Sequence, residues 1–173
     1  KNQWLSGTHG LVRDVFPTIW RSDILVVNVG AFFESGEENK FNTTLTNFID
    51  WTKKHYKGTV IWREYSAAHF DTVDGEFDPS LKSASCRRYD PSNTRQLHRH
   101  NYRVELANAI MRQHRIPVLP AFQSSLTYFS TLTPEIVQPH PGDQTNGDCR
   151  HWYAPSSPLI QWNEVLYNFI VPN

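Results

Sequence analysis

The chain has 173 residues, 39% of them hydrophobic, and its 17 basic and 17 acidic side chains cancel to a formal net charge of +0. This length is sufficient for one domain with a substantial core and gives no reason to expect a second. A neutral balance of charge argues against a phosphate-binding surface, and therefore against nucleic acid as a partner. No stretch reaches the roughly 20 apolar residues that a membrane-spanning helix needs.

The first predicted elements are a strand and a helix. Asp23 to Val29 is a continuous apolar run of strand-forming residues, typical of a strand that is buried on both faces. Apolar residues at helical spacing then predict a helix from Thr44 to Tyr56, with Asn42 or Thr43 available as its cap. A second strand follows this helix directly, in the stretch TVIWR.

The rest of the chain combines long loops with three further elements. Ser66 to Arg99 has mixed polarity and is interpreted as one long excursion, since loops of that length are usually functional or inserted. The pattern predicts a helix from Asn101 to His114 and a third short strand from Ile116 to Leu119. Ser124 to Gly147 is rich in loop-forming residues, and Pro158 starts a final helix.

The alternation of strands and helices predicts a parallel sheet that is covered on both faces by helices. In such sheets the chemistry gathers in loops beyond the carboxyl ends of the strands. The loop after Val29 and the loop that holds Asp148 and His151 are both candidates for that edge.

Asp148 and His151 stand three residues apart in a polar loop just before the final helix. A histidine works as a general base near neutral pH if a carboxylate fixes its tautomer and stabilises the imidazolium that forms. A spacing of three residues within a turn brings these two side chains to the same side of the loop. Taken alone, such a pair is more often a capping aspartate beside a surface histidine.

Three stretches of the sequence give this pair a context. GDCRHWYAPSSPLIQWNEVLY resembles the Asp-Cys-x-His-Trp-Cys-x-Pro-Gly segment and Trp-Asn helix of the PC-esterase group, within the SGNH/GDSL hydrolase superfamily. SDILVVNVGAFF is similar to its Asp-x-x-Val-x-Asn-x-Gly-His-Trp block. VIWREYSAAHFDTVDGEFDPSLKSASC resembles its Phe-Arg-x-x-Ser-Pro-x-His-Phe segment, which runs on to a Gly-Gly-x-Cys. The group includes the plant trichome-birefringence-like polysaccharide O-acetyltransferases.

The resemblance implies a fold and an incomplete N-terminus. The expected fold is a three-layer α/β/α sandwich with a parallel sheet, the flavodoxin-like SGNH type, as a single domain over residues 1–173. The family's nucleophilic serine lies in a Gly-Asp-Ser block, and this chain has none. Because the chain starts with Lys1 and its only methionine is Met111, we expect the first strand and its serine to lie on an upstream segment or a separate chain.

The resemblance also implies roles for particular residues. His151 would be the catalytic base and Asp148 the acid that orients it. Asn28 and Gly30 occupy the block that helps to form the oxyanion hole, although an asparagine or glycine after a strand is often only part of a turn. Trp152 is the best candidate for the wall of a substrate pocket.

The chain's two cysteines could by themselves be a disulfide, part of a metal site or buried thiols. The family's pairing implies a Cys86–Cys149 disulfide, which would pin the long excursion against the catalytic loop. That bond, with the glycosylation sequon at Asn42, favours an extracellular location or the lumen of the secretory pathway. No histidine or cysteine pair has convincing zinc spacing, and acyl-serine chemistry needs no cofactor, so neither a metal nor a cofactor is predicted.

The favoured function is hydrolysis or transfer of an O-acyl group, most simply acetyl, on a carbohydrate substrate through an acyl-serine. Ala31, Ala67, Tyr153 and Ser156 depart from the family's pattern, whereas His69 could line the site by analogy. These departures leave a second hypothesis open. In it the chain is a catalytically inactive SGNH-like module with a structural or binding role in an extracellular assembly of several chains.

Overall fold

The computed structural model describes residues of the chain between Arg21 and Val171. The described residues are 21–30, 33, 36–73, 75–78, 80, 86–92, 94–129, 148–152 and 156–171, with side chains described throughout except at 94–101. In chain order the elements are β1 (Ile24–Val27), α1 (Glu38–His55), β2 (Thr59–Arg63), α2 (Thr94–Gln113), β3 (Val118–Leu119), α3 (Phe122–Tyr128) and α4 (Ser157–Ile170). Within these ranges, no helix is long and apolar enough to cross a membrane.

The three strands form one sheet in the order β1-β2-β3. β1 and β2 are parallel, and Val27 at the end of β1 pairs with Trp62. On the other side of β2, the backbone N–H of Trp62 donates to the carbonyl oxygen of Pro117 over 2.9 Å, next to β3. The α/β class with a parallel sheet, which the alternation of elements predicted, is confirmed.

The chain divides into two compact units. Unit 1 consists of Lys1–Tyr65 and Tyr102–Val118, and unit 2 consists of Ser66–Asn101 and Leu119–Asn173. Unit 1 therefore holds β1, β2, α1 and most of α2, whereas unit 2 holds α3, α4 and both cysteines. The expectation of a single domain over residues 1–173 stays a prediction.

The core of unit 1 is built from β1, β2, α1 and α2. Alternate strand residues point to one face of a sheet, and partly buried Leu25 and Val27 pack against this core from β1. Trp62 on β2 is 1% exposed. The buried members are Val29, Phe33, Phe41, Leu45, Phe48, Ile49, Trp62, Ala107, Ile110 and Met111.

Helix α1 begins earlier than the sequence predicted, at Glu38 rather than Thr44. Phe41 is fully buried and carries the apolar stripe one turn further toward the N-terminus. Glu38 adds a negative charge to the first turn, where it interacts favourably with the helix dipole. The prediction that Asn42 or Thr43 caps the helix is therefore wrong, because both lie inside it.

Two other helical stretches were predicted as loop. Helix α2 begins at Thr94 rather than Asn101, so the last part of the predicted excursion is helical, in a run that contains no Gly or Pro. Helix α3 extends into the stretch predicted as loop-rich. Its Phe122 and Leu126 are both buried, and this i, i+4 pair explains why a seven-residue helix forms there.

Strands β1 and β3 are shorter than predicted. Val26 on β1 is 40% exposed, so the prediction of a strand buried on both faces is wrong at this position. β1 stands at one end of the strand order, where a strand has fewer neighbours to cover it. β3 contains only Val118 and Leu119, since Pro117 just before it has no backbone N–H to donate to a ladder.

In unit 2, α3 and α4 pack together through Trp162. This side chain is 4% exposed, and its indole N–H donates to Ser124 Oγ over 2.9 Å. Helix α4 begins at Ser157, next to the predicted start at Pro158. Further along this helix, Phe169 is 43% exposed.

Candidate active site

The loop before α4 folds around the carboxylate of Asp148. Its Oδ1 accepts the backbone N–H of Arg150 over 3.1 Å and that of His151 over 3.0 Å. Aspartate favours such turns because its short side chain reaches backbone amides two or three residues further along the chain. The turn brings the imidazole of His151 back to the same carboxylate.

The second carboxylate oxygen of Asp148 contacts the imidazole. His151 Nδ1 lies 2.7 Å from Asp148 Oδ2, so the two side chains meet as the sequence analysis expected. An imidazole that donates its Nδ1–H to a carboxylate carries its basic lone pair on Nε2. The side chain of His151 is 78% exposed, which leaves the ring accessible to a reacting group. The catalytic roles of both residues stay predictions.

The carboxylate of Asp148 is held in its ionised form. Burial raises the pKa of Asp148, but the hydrogen bonds from His151 and from the Arg150 backbone outweigh it and bring that pKa below its ordinary value. At neutral pH the carboxylate is therefore charged, as a residue that stabilises an imidazolium has to be.

The disulfide between Cys86 and Cys149 is confirmed, with 5.3 Å between the two Cα atoms. Cys149 is fully buried and clusters with Ala68 and Phe70. Phe70 also forms an antiparallel bridge with Cys86, and the carbonyl oxygen of Cys149 accepts the backbone N–H of His69 over 2.8 Å. The disulfide thus joins the loop that carries Asp148 and His151 to the segment around Phe70.

An ion pair that the sequence analysis did not predict adjoins the disulfide. Arg150 Nη2 lies 2.9 Å from Glu76 Oε2, and the two side chains are only 22% and 15% exposed. The sequence holds a partial signal, because Arg150 follows Cys149 directly and the disulfide implies that the excursion is near. The excursion carries several acidic residues, however, and only the fold selects Glu76 among them.

Trp152 belongs to an aromatic cluster in unit 2. Its ring centroid lies 5.6 Å from that of His69, 6.0 Å from that of Tyr128 and 6.4 Å from that of Trp162. His69 is 2% exposed, and its Nε2 lies 3.2 Å from the carbonyl oxygen of Leu126. Trp152 is half-buried, and its role as a pocket wall stays a prediction.

The candidate oxyanion residues lie in unit 1, in the loop after β1, whereas the Asp148–His151 pair belongs to unit 2. The side-chain amide of Asn28 donates to the carbonyl oxygen of Arg63 over 2.9 Å and so joins the ends of β1 and β2. A Cβ on Gly30 would lie 2.9 Å from the Tyr65 side chain. Both residues therefore have a structural reason to be where they are, and their oxyanion role stays a prediction.

Arg103 is a second residue that the sequence analysis missed, and it fixes the same loop. It is 5% exposed, and its Nε and Nη2 groups both donate to the carbonyl oxygen of Phe33, which follows Gly30 by three positions. The guanidinium lies over the rings of Tyr65 and Tyr102, at 5.3 and 4.9 Å from their centroids. An arginine among the apolar positions of α2 was the signal in the sequence.

The remaining predicted positions are distributed as follows. Asn42, the predicted glycosylation site, is exposed on α1. Ala67, where the family has proline, is fully buried and donates its backbone N–H to Ser125 Oγ. Ala31 and Tyr153 lie outside the described residues. Across the part of the chain that the structure describes, no three His, Cys, Asp or Glu residues come together as a metal site.

In comparisons with known proteins, no protein-family model and no curated sequence matches this chain. The likeness to the PC-esterase group therefore depends on the quoted motifs alone. The function has to be argued from the chemistry of the site itself.

Proposed function

We propose that this chain supplies the base and the orienting acid of an O-acyl esterase or acyltransferase that acts on glycans through an acyl-serine. The observation that carries the proposal is the 2.7 Å contact between His151 Nδ1 and Asp148 Oδ2. Two backbone amides hold the other carboxylate oxygen, so the carboxylate is fixed before any substrate arrives. A carboxylate and an imidazole in this arrangement form two members of a nucleophilic triad.

In the proposed reaction, a serine from an upstream segment or another chain attacks the carbonyl carbon of the ester. His151 Nε2 takes the serine proton, and Asp148 stabilises the imidazolium. When the tetrahedral intermediate collapses, the carbon–oxygen bond of the ester breaks and the departing sugar hydroxyl receives that proton. Water or an acceptor hydroxyl then gives its proton to His151 as its oxygen attacks the acyl-serine. When this second intermediate collapses, the bond between the acyl carbon and the serine oxygen breaks, His151 returns the proton to the serine, and the acid or a new ester leaves.

The proposed oxyanion donors are the loop residues Asn28 and Gly30. Donors of this kind are effective when they are fixed before the reaction, and one such donor contributes about 3 to 4 kcal/mol to transition-state stabilisation. Two observations support fixed positions for the described residues here: Arg103 donates to the Phe33 carbonyl, and the Tyr65 side chain occupies the space where a Cβ on Gly30 would lie. Asn28 donates through Nδ2 to the backbone of Arg63, and the amide nitrogen carries a second N–H.

Labelling with a serine-directed fluorophosphonate tests the proposal. The full-length protein would be labelled and digested, and the labelled peptide sequenced. We expect the label on a serine upstream of this chain, and we expect His151→Ala to lose it. His114→Ala is the matched control, because His114 Nδ1 lies 2.7 Å from Lys53 Nζ instead of a carboxylate. Equal labelling of the two variants would remove His151 from the mechanism.

One observation favours the inactive module as the second candidate function: this chain contains no Gly-Asp-Ser of its own. A non-catalytic module of an extracellular assembly needs only the scaffold. If the full-length protein takes no label while an active serine hydrolase is labelled in parallel, the module is the better explanation. The disulfide suits either function, and both are proposed for an oxidising compartment.

A further inference from the structure

Three consecutive residues of the loop before α4 are each held by a different partner. Cys149 is held by the disulfide to Cys86, Arg150 by the ion pair with Glu76, and His151 by the carboxylate of Asp148. The first two partners, Cys86 and Glu76, lie outside the loop and belong to one segment of unit 2, Ser66–Asn101. The loop is thus tied to that segment at two adjacent positions.

The disulfide and the ion pair constrain the loop in different ways. The disulfide and the hydrogen bond from the His69 N–H to the Cys149 carbonyl oxygen fix the position of one residue, but rotation about the backbone bonds that follow leaves the direction of the adjoining turn open. The ion pair adds a second fixed point at Arg150, whose backbone N–H also donates to Asp148 Oδ1. Two fixed points define the direction of the Asp148–His151 turn, and with it the direction of the imidazole.

The Glu76–Arg150 ion pair is short and mostly buried, so it can fix the orientation of the turn. Its atoms are 2.9 Å apart and both side chains are mostly buried, at 15% exposed for Glu76 and 22% for Arg150, so solvent screens the pair weakly. The same segment contains a contrasting pair, Asp71 and Arg87, whose atoms are 3.5 Å apart with side chains 52% and 59% exposed. Exposed pairs of that kind contribute little.

Glu76 is itself fixed by a tight loop. Thr72 Oγ1 donates to the carbonyl oxygen of Glu76 over 2.8 Å, and the backbone N–H of Phe70 donates to that of Gly75 over 2.9 Å. Gly75 has φ of +74°, a left-handed conformation that favours glycine. The loop begins at Phe70, which lies in the disulfide cluster. The backbone that carries the Glu76 side chain is therefore held by hydrogen bonds next to the disulfide cluster.

We propose that Glu76 and Arg150 are positioning residues, which direct His151 Nε2 toward the serine that it deprotonates. This inference rests on the proposed function, since it assigns the pair a task in that reaction. The pair touches no reacting atom and acts only through the turn that it orients. Proton transfer depends steeply on such orientation, and a displacement of about 1 Å lowers turnover by as much as 100-fold.

The test compares four variants of the full-length protein. Glu76→Gln and Arg150→Gln each remove one charge, and the exchange E76R/R150E restores a pair with reversed charges. Arg87→Gln is the matched control, because it removes an arginine from the exposed pair of the same segment. One readout is kcat and KM for an aryl acetate ester. The other is the tautomer of His151, measured in proton–nitrogen correlation spectra of isotope-labelled histidine, which requires no turnover.

We expect the two single variants to lower kcat by about 10- to 100-fold with little change in KM. Their His151 spectra should show a mixture of tautomers instead of the form protonated at Nδ1, because Arg150, whose backbone N–H holds Asp148 Oδ1, is no longer anchored. The exchange variant should recover most of both properties, and Arg87→Gln should match the wild type.

Wild-type kcat and tautomer in both single variants would overturn the proposal. A folded exchange variant whose kcat and tautomer are no better than those of the single variants would overturn it too. This comparison remains informative if one of the single variants does not fold. If the wild type shows no turnover at all, the proposed function fails, and the tautomer spectra still decide whether the pair orients His151.

Discussion

The carboxylate of Asp148 holds the turn and also contacts the His151 imidazole, and the substitution Asp148→Asn separates these two roles. In Asp148→Asn, the remaining side-chain oxygen can still accept the backbone N–H groups of Arg150 and His151, so the turn should persist. The amide nitrogen then faces His151 Nδ1 and selects the tautomer that is protonated on Nε2, which cannot accept a proton there. If the proposed function is right, we expect turnover of an aryl acetate ester to fall on the order of 10⁴-fold with the fold retained.

Asp148→Ala serves as the comparison, because it removes the turn as well as the charge. We expect it to lose turnover and also more thermal stability than Asp148→Asn, because Asp148→Asn keeps the hydrogen bonds of the turn and loses only the charge. Activity in Asp148→Asn within a factor of ten of the wild type would contradict the orienting role.

The lowered pKa of Asp148 also predicts a pH dependence of stability. A carboxyl whose folded-state pKa is depressed stabilises the fold fully above its unfolded value, about 3.9, and this contribution is lost as pH falls through the folded pKa. The free energy of unfolding of the wild type should therefore exceed that of Asp148→Asn by the most above about pH 5, and this difference should decline as the pH falls. Urea unfolding of both proteins across this range measures it. The same advantage at every pH would show that the charge is not responsible.

At the scale of an element, α1 carries the unit 1 core on one stripe. Leu45 is fully buried in that core, and its neighbour Thr46 is exposed on the same helix. We expect Leu45→Ala to lower the free energy of unfolding by about 2 to 5 kcal/mol, because it removes buried methyl groups and leaves a cavity. Thr46→Ala should change it by less than about 0.5 kcal/mol. Denaturant unfolding of the two variants checks this, and equal losses would contradict the assignment of the buried stripe.

The predictability of the elements follows the strength of their apolar pattern. The sequence predicted Leu45 as buried, and it predicted β2 with the bounds that the structure has, because both patterns are continuous and end at clear signals. The starts of α1 and α2 were predicted too late, since the residues that precede the obvious stripes are mostly polar. Helix α3 was missed because its seven residues hold just one spaced pair, Phe122 and Leu126, amid loop-forming neighbours.

At the scale of the whole molecule, local sequence does not predict which residues contact each other when they are far apart in the chain. The Asp148–His151 contact spans three residues and could be expected from the spacing, and the disulfide was implied by the resemblance. The partners Glu76 and Arg150 are separated by 74 positions, and nothing local distinguishes Glu76 from other acids of its segment. The same holds for the contact of Arg103 with Phe33, which are 70 positions apart. These partners are chosen by the tertiary fold.

The disulfide provides a test that covers both units. It joins positions 63 residues apart within unit 2, and a loop of that length gives about 4 kcal/mol of stabilisation through the lost entropy of the unfolded chain. We expect C86A/C149A to lose roughly this amount in denaturant unfolding. Native-state hydrogen exchange locates the loss, because amides open with the free energy of the structure around them.

Exchange in the variant should rise most at residues 68–70 and 148–152, which adjoin Cys149 through the cluster with Ala68 and Phe70. Helix α1 belongs to unit 1 and serves as the internal reference, since its buried stripe contains no residue of that cluster. An equal rise in α1 would mean that the two units open as one cooperative structure, and that the disulfide stabilises the whole chain instead of holding the Asp148–His151 loop in place.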